Sequence, residues 1–437
     1  MSEISKCESY LLDIPKFKKK TLLSDTIKFY ELLGRPGEDI PRIHVAGTNG
    51  KGSTCFYTSQ ILKNHGLRVA LFTSPHLVSM KERFVIDDRM ISDEEFIRVF
   101  NHVKNKCESL DEETKEAMHP SFFEFLFLMF MLWVSEVKPD VLILETGLGG
   151  MLDATNIFET SALSVICSIG LDHIEQLGNS IEEIATQKAG IIKNNVAVVS
   201  LDNDFAANQV IKERALAKNA PLYLLKEENI SNVSVKDKHV DFSLNFSYDN
   251  SVCVDEMRIS LETSALYQRF NASMAVLVSL IYLKDRFDEK LTVEALSKGS
   301  FKGRMEEIHP GFFVDGAHNE DAVDKLLETL LQVEGTKTLI FGACKDKDYE
   351  TMLEKIINSN VFDSIVLTKV HSPRAAEIED LLRITGKCNG SGKEIRTAGD
   401  VEKAIRMLDG EEGIKYIAGS LYLVGEAMDY IRRMTDD

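Results

Sequence analysis

Short, nearly uninterrupted apolar runs alternate with longer stretches of helical periodicity through most of the chain. The runs Arg42–Ala46, Arg68–Thr73, Val141–Thr146, Leu163–Ser168 and Val196–Leu201 predict strands. Thr54–Asn64, Ser121–Glu136 and Ile181–Ala189 predict the helices between them. Strands without polar alternation are buried on both faces, so the pattern predicts a mostly parallel sheet covered by helices on each side. The rhythm then changes: His239–Phe246 and Val252–Ile259 alternate with period two and predict an antiparallel pair, its turn at Tyr248-Asp249-Asn250-Ser251. A helix over Asn271–Leu283 and a short segment over Thr292–Gly303 follow.

Strand–helix alternation resumes with Phe312–Asp315, Asn319–Val333, Thr338–Gly342, Tyr349–Ile357, Ser364–Thr368, Ile414–Ala418 and Leu421–Met434. The glycine- and lysine-rich patch Gly386–Lys393 reads as an exposed loop. A chain of 437 residues exceeds one ordinary core. The boundary is placed near Leu296–Gly303, giving units of residues 1–296 and 297–437. The fold class expected is α/β: an N-terminal phosphate-loop domain with a mostly parallel sheet and a small antiparallel element, then a Rossmann-like α/β domain.

A formal net charge of -18 argues against nucleic acid as a partner, and means that an anionic substrate must be held by a local positive site. The seven cysteines are scattered and form no C-x-x-C pair, the usage of a reducing compartment. The N-terminal stretch is charged without an apolar run, and Phe122–Val134 is too short for a bilayer and carries Glu124. The expectation is a cytoplasmic protein with no membrane partner.

The strand Arg42–Ala46 runs into Gly47-Thr48-Asn49-Gly50-Lys51-Gly52-Ser53 and then a helix. Glycines let backbone N–H groups turn towards an anion, the helix N-terminus adds positive potential, and Lys51 can reach terminal phosphates. The common pattern G-x-x-x-x-G-K-[ST] is not met, because Gly52 stands where Ser or Thr would be. An ordinary glycine-rich turn is the alternative at this point. Glu145 closes a predicted parallel strand, at the edge where open α/β sheets bind ligands, and can serve either as a metal ligand or as a capping carboxylate.

In its own form this loop resembles the ATP loop of the Mur ligase superfamily, and most closely that of the folylpolyglutamate synthase/dihydrofolate synthase family. Ordered matches extend the resemblance over nearly the whole chain: Ser74-Pro75-His76-Leu77, Glu145 to Gly150, Asp153-Ala154-Thr155-Asn156, Gly170-Leu171-Asp172-His173, Lys188-Ala189-Gly190-Ile191, Asp315 to Asn319, Asp346-Lys347-Asp348 and Gly419 to Gly425. The resemblance implies an ATP-dependent ligase that joins L-glutamate to a reduced folate, or to dihydropteroate, through an acyl phosphate. The readings set against it are a muramyl-peptide or cyanophycin ligase and a nucleotide-binding module without ligase activity.

Residue by residue, the resemblance implies ATP contacts from Gly47, Thr48, Asn49, Gly50, Lys51, Gly52, Ser53, Asn271, Arg304, Asp315 and His318. It implies Mg²⁺ at two sites, with Ser74 and Glu145 on one metal and His173 on the other, and also a monovalent cation. Lys51, His173 and Lys188 are the catalytic positions it implies, Lys188 as a lysine carbamylated by CO₂. Without the resemblance, Lys188 reads as an exposed helical lysine before a cap at Gly190. Phe122 and Phe123 match a segment near a pterin site, although core packing suits either ring as well. Met151 stands where the family usually carries an arginine. A monomer is the family expectation.

Overall fold

A computed structural model describes residues 2–15, 23–236, 238–248, 252–299, 301–388, 390 and 392–436. Its main sheet has eight strands, in the order Arg89–Met90, Phe84–Ile86, Val69–Phe72, Val141–Glu145, Arg42–Ala46, Leu163–Ile166, Val198–Leu201 and Leu222–Leu225. The last six are mutually parallel, and the first two run antiparallel as a hairpin on the edge. All five residues of Val141–Glu145 are buried, as are all five of Arg42–Ala46, which is why neither strand alternates.

One face of this sheet packs against Lys51–Asn64 and Gln268–Leu283, and that core continues into a three-stranded antiparallel sheet. The predicted pair His239–Ser247 and Cys253–Leu261 is there, joined by an unpredicted third strand, Ile230–Lys236. Residues 249–251 of the turn placed at Tyr248–Ser251 lie outside the described residues. The opposite face is covered by Phe122–Val137 and Asp93–Glu108. Glu124 is tolerated inside that layer because the Ser121 N–H (2.6 Å) and the Thr26 hydroxyl (2.7 Å) donate to its carboxylate.

A six-stranded sheet takes all its strands from Arg304 onward, in the order Arg304–His309, Phe312–Asp315, Ile414–Ala418, Lys337–Phe341, Ser364–Thr368 and Glu394–Ala398. Only the first pair is antiparallel. Helices cover both of its faces, so each face carries its own apolar core. This is the α/β architecture expected. Two local expectations change. The patch Gly386–Lys393 is not all loop: the helix Ile378–Cys388 runs into it, because Leu381, Ile384 and Thr385 form a buried stripe that carries the helical turn past Gly386. The segment expected at Thr292–Gly303 begins inside a helix, Glu289–Leu296, started by Asp288, whose carboxylate accepts the Lys290 and Leu291 N–H groups; residue 300 lies outside the described residues.

Candidate functional site

Strand order decides which loops meet. Arg42–Ala46 lies between Val141–Glu145 and Leu163–Ile166, with Val45 level with Glu145 and Ala46 level with Ile166. All three strands are parallel, so the loops after Ala46, Glu145 and Ile166 leave together at one edge. The Thr48 N–H donates to the Ser168 carbonyl at 2.6 Å, and the Thr48 hydroxyl donates to the Gly170 carbonyl at 3.0 Å.

Two glycines of the loop are required by geometry. A Cβ on Gly47 would stand 2.7 Å from the Cβ of Cys167. Gly50 has φ +83°, the left-handed region, and caps Lys51–Asn64 without a side chain, which leaves the first-turn N–H groups for an anion. Lys51 folds back to donate to the Thr48 carbonyl at 3.0 Å, and its Nζ stands 4.0 Å from Glu145 Oε1. Ser53 Oγ accepts from Gln268 at 3.1 Å, and Gln268 in turn accepts from Asn271 at 2.8 Å, tying the loop to the helix Gln268–Leu283.

Glu145 is buried, and burial raises its carboxyl above the usual range, offset by Lys51 and by the Ser74 N–H, which donates to Oε2 at 2.9 Å. Lys188 is not exposed. It is 4 % accessible, it donates to the Gly47 carbonyl at 2.6 Å, and burial brings its ammonium down to about 7. Two lysines thus donate to carbonyls of the phosphate loop, Lys51 from the loop itself and Lys188 from the helix Ile181–Ala189.

On the other flank, Asp172 pairs with Lys347 and accepts from Asn319 Nδ2 at 3.2 Å. Burial alone would raise its carboxyl; Lys347, His173 and His318 pull it well below the usual carboxylate range. His173, in the left-handed region at φ +51°, has its Nε2 3.5 Å from Lys347 Nζ and is brought down to about 4, mainly by burial. Asn49 and Asn319 exchange amide hydrogen bonds at 3.1 and 3.0 Å, and Asn49 also donates to Asp321 at 2.8 Å. The phosphate loop therefore touches elements from both ends of the chain.

Arg304, Asp315 and His318 line the same cleft, whose volume is about 230 Å³. Asp315 accepts from the Tyr267 hydroxyl (2.6 Å) and from the Met305 (3.1 Å) and Ala317 (2.9 Å) N–H groups. His318 Nδ1 faces the Gly316 carbonyl at 2.8 Å. Also on the lining are Gly47, Thr48, Asn49, Gly50, Gly52, Ser53, Ser74, His173 and Asn271, together with Lys51, Glu145 and Lys188. Phe122 and Phe123 are not: Phe122 packs in the core, and Phe123 presses on Gly147, which lines the cleft. Among the described residues, no three His, Cys, Asp or Glu side chains group to hold a metal ion, so a cation here would take few protein ligands.

The site also contains residues that the sequence reading left out: Lys347, Tyr267, Asn319 and Asp321. Lys347 and Asn319 lie within motifs of the resemblance, but nothing local says that Lys347 reaches Asp172 across 175 positions.

Residues 303–416 match the family model described as Mur ligase, glutamate ligase domain. The chain is 36% identical over 421 residues to the dihydrofolate synthase/folylpolyglutamate synthase of Bacillus subtilis, covering 94% of this chain and 95% of that one. Among solved structures, folylpolyglutamate synthase from Thermotoga maritima is 28% identical with a TM-score of 0.82, over 98% of this chain and 96% of the other. FolC from E. coli, in complex with DHPP and ADP, is 25% identical with a TM-score of 0.84, over 99% of each chain.

Proposed function

Because the chain belongs to the folylpolyglutamate synthase/dihydrofolate synthase family and is an ATP-dependent ligase of L-glutamate and folates, we propose that its cleft works as follows. A carboxylate is a poor electrophile towards an amine at neutral pH. Its oxygen attacks the γ-phosphorus of ATP, the bond to ADP breaks, and an acyl phosphate forms. The glutamate nitrogen then attacks the acyl carbon, the carbon–oxygen bond to phosphate breaks, an amine proton is lost, and the amide remains.

The chain's own part is to hold and to neutralise. The loop amides of Gly47–Ser53 and the Lys51 ammonium bind the triphosphate. Asn271, Arg304, Asp315 and His318 bind the rest of the nucleotide, Arg304 from the far side of the cleft. Mg²⁺ would be held by Ser74 and Glu145, and when bound it neutralises charge on the transferring phosphoryl group. Glu145 fits that role, since a buried oxygen donor with little compensation suits a hard cation. His173 fits a second Mg²⁺ less well, because imidazole is a softer donor and an ammonium already faces it. A monovalent cation belongs to the same proposal. Lys188 is proposed as the carbamylated lysine; its position near neutrality supports this, since CO₂ adds to the free amine. Phe122 and Phe123 are proposed on the folate side.

The observation that carries the reading is the convergence of the phosphate loop, a buried carboxylate and Arg304 on one cleft. The test offers dihydropteroate, tetrahydrofolate and methylenetetrahydrofolate separately with glutamate and ATP, and measures phosphate release and amide product by mass. Phosphate released without amide from any of them overturns it; the dihydropteroate arm shows whether both named activities belong to this chain.

Units of residues 1–296 and 297–437, a monomer and cytoplasmic residence complete the proposal. The confinement of the six-stranded sheet to residues after Gly303 supports the first of these. Limited proteolysis and size-exclusion chromatography test the division and the monomer.

A further inference from the structure

Arg83 is the last residue of the turn Met80–Arg83, beside the ligand-facing end of the strand Val69–Phe72, where its carbonyl accepts from the Thr73 N–H at 3.4 Å. The residue is 6 % accessible. Its Nε donates to His76 Nδ1 at 2.9 Å, and its guanidinium carbon lies 5.6 Å from the Phe122 ring centre. Neither contact supplies negative charge. Among the described residues no carboxylate comes within 4.0 Å of it.

The two carboxylates in the neighbourhood are committed elsewhere. Glu82 accepts the backbone N–H groups of Leu77, Val78 and Ser79 at 2.8 to 3.0 Å. Glu145 accepts from Ser74 and faces Lys51. Among the described residues, Nη1 and Nη2 of Arg83 thus have no protein acceptor, and neither planar donor is paired. A buried cation whose nearest carboxylates, Glu145 and Glu82, stand beyond ion-pair distance is costly, and a fold that only needed packing there would do better with an apolar side chain.

The place is a seam between the two sheets. The Leu77 carbonyl abuts Gly425 on the helix Leu421–Asp436, and Tyr422 of that helix is near enough to act electrostatically on Arg83. Lys51 and Arg83 both feel Glu145, Lys51 from the phosphate loop and Arg83 from the end of the turn Met80–Arg83, beside His76.

We propose that Arg83 is the seat of a substrate carboxylate other than the one that is activated, held by the two terminal nitrogens of its guanidinium. A planar fork with two free donors matches a carboxylate in a bidentate pair. That carboxylate comes either from the incoming glutamate or from the glutamyl end of the acceptor folate. The inference rests on the ligase reading.

The experiment compares wild type with Arg83→Gln and Arg83→Lys, recording KM for glutamate, KM for tetrahydrofolate, kcat and Tm. Arg83→Gln should raise one KM by about tenfold or more, the size of a lost charge-assisted pair, while Tm stays level or rises. Arg83→Lys should fall between the two. A rise in the glutamate KM assigns the site to the amine substrate; a rise in the tetrahydrofolate KM alone assigns it to the acceptor. Both KM values within about twofold of wild type, or a Gln variant that does not fold, overturn the proposal, since either makes Arg83 a structural residue. A wild-type protein that forms no amide fails the ligase reading instead, so the two failures are distinguishable.

Discussion

Glu145 and Asp172 sit at the same edge of the same sheet, Glu145 buried and Asp172 nearly so, and their surroundings push them in opposite directions. Asp172 meets Lys347, Asn319 and His318, all from the far side of the cleft, and its carboxyl is held well below the usual range. The Glu145 carboxyl is raised by burial; one backbone N–H, a lysine at 4.0 Å and, farther off, Arg304 and Arg83 offset this only in part. The protein closes one corner with its own charges and leaves the other incompletely compensated. A corner of the first kind joins two parts of a molecule; one of the second kind has room for a ligand cation. Arg83, close to Glu145, extends this second kind of corner with the opposite sign.

The comparison can be broken in several ways. The largest effect is expected at Lys51, which serves the open corner: Lys51→Ala should lower kcat by roughly 10³-fold or more with Tm little changed, because a positive donor at the transferring phosphoryl group is lost. Steady-state phosphate release checks it, and near wild-type turnover would remove the phosphate-loop assignment.

Next, Glu145→Gln keeps the shape and deletes the charge. It should cost about 10²- to 10³-fold in kcat and raise Tm or leave it level, since a poorly compensated buried charge is removed. If Tm drops and turnover stays, the carboxylate is structural and the contrast with Asp172 disappears.

Lys347→Ala attacks the closed corner. It should destabilise the fold by roughly 1–3 kcal/mol in urea unfolding, because Asp172 is left buried without its partner. Its effect on kcat should be smaller than that of Lys51→Ala. Asp172→Asn on that background should recover part of the loss, as coupled residues do not add.

The last effect, smallest in turnover, is a slope of stability against pH. Lys188 titrates near 7 in the folded chain and near 10.4 when unfolded. Below about 7 both states are protonated and the burial penalty is felt in full. Between about 7 and about 10 the folded chain binds fewer protons, so stability rises with pH, by at most roughly 1.4 kcal/mol per unit. In CO₂-depleted buffer, where Lys188 is the free amine, unfolding curves of wild type and Lys188→Met should diverge in that window, with the wild type gaining; parallel curves would mean that Lys188 keeps an ordinary ammonium.

Much of the fold is legible locally. Arg42–Ala46, Ile181–Ala189, Phe312–Asp315, Ser364–Thr368 and Ile414–Ala418 form over the residues their patterns mark. The helix Asp93–Glu108 went unread, although Ser92 and Glu95 form the reciprocal cap that signals a helix start. Ile230–Lys236 went unread because it is the edge of its sheet and only its first residue is buried, which leaves no alternation to see.

At the site, the residues and their neighbours in the chain mark the loop Gly47–Ser53 and Glu145 at a strand end, whereas Arg304, Asp315 and His318 as a second group come only from the family resemblance. Loop chemistry and strand ends are matters of neighbours in the chain. What required the folded molecule was the environment of each charge. That Lys188 is buried against Gly47, that Lys347 offsets Asp172, and that Arg83 has no carboxylate within 4.0 Å among the described residues depend on groups brought together from distant positions. Electrostatic free energy is set by distance and burial, and neither is written in the spacing of residues along a chain.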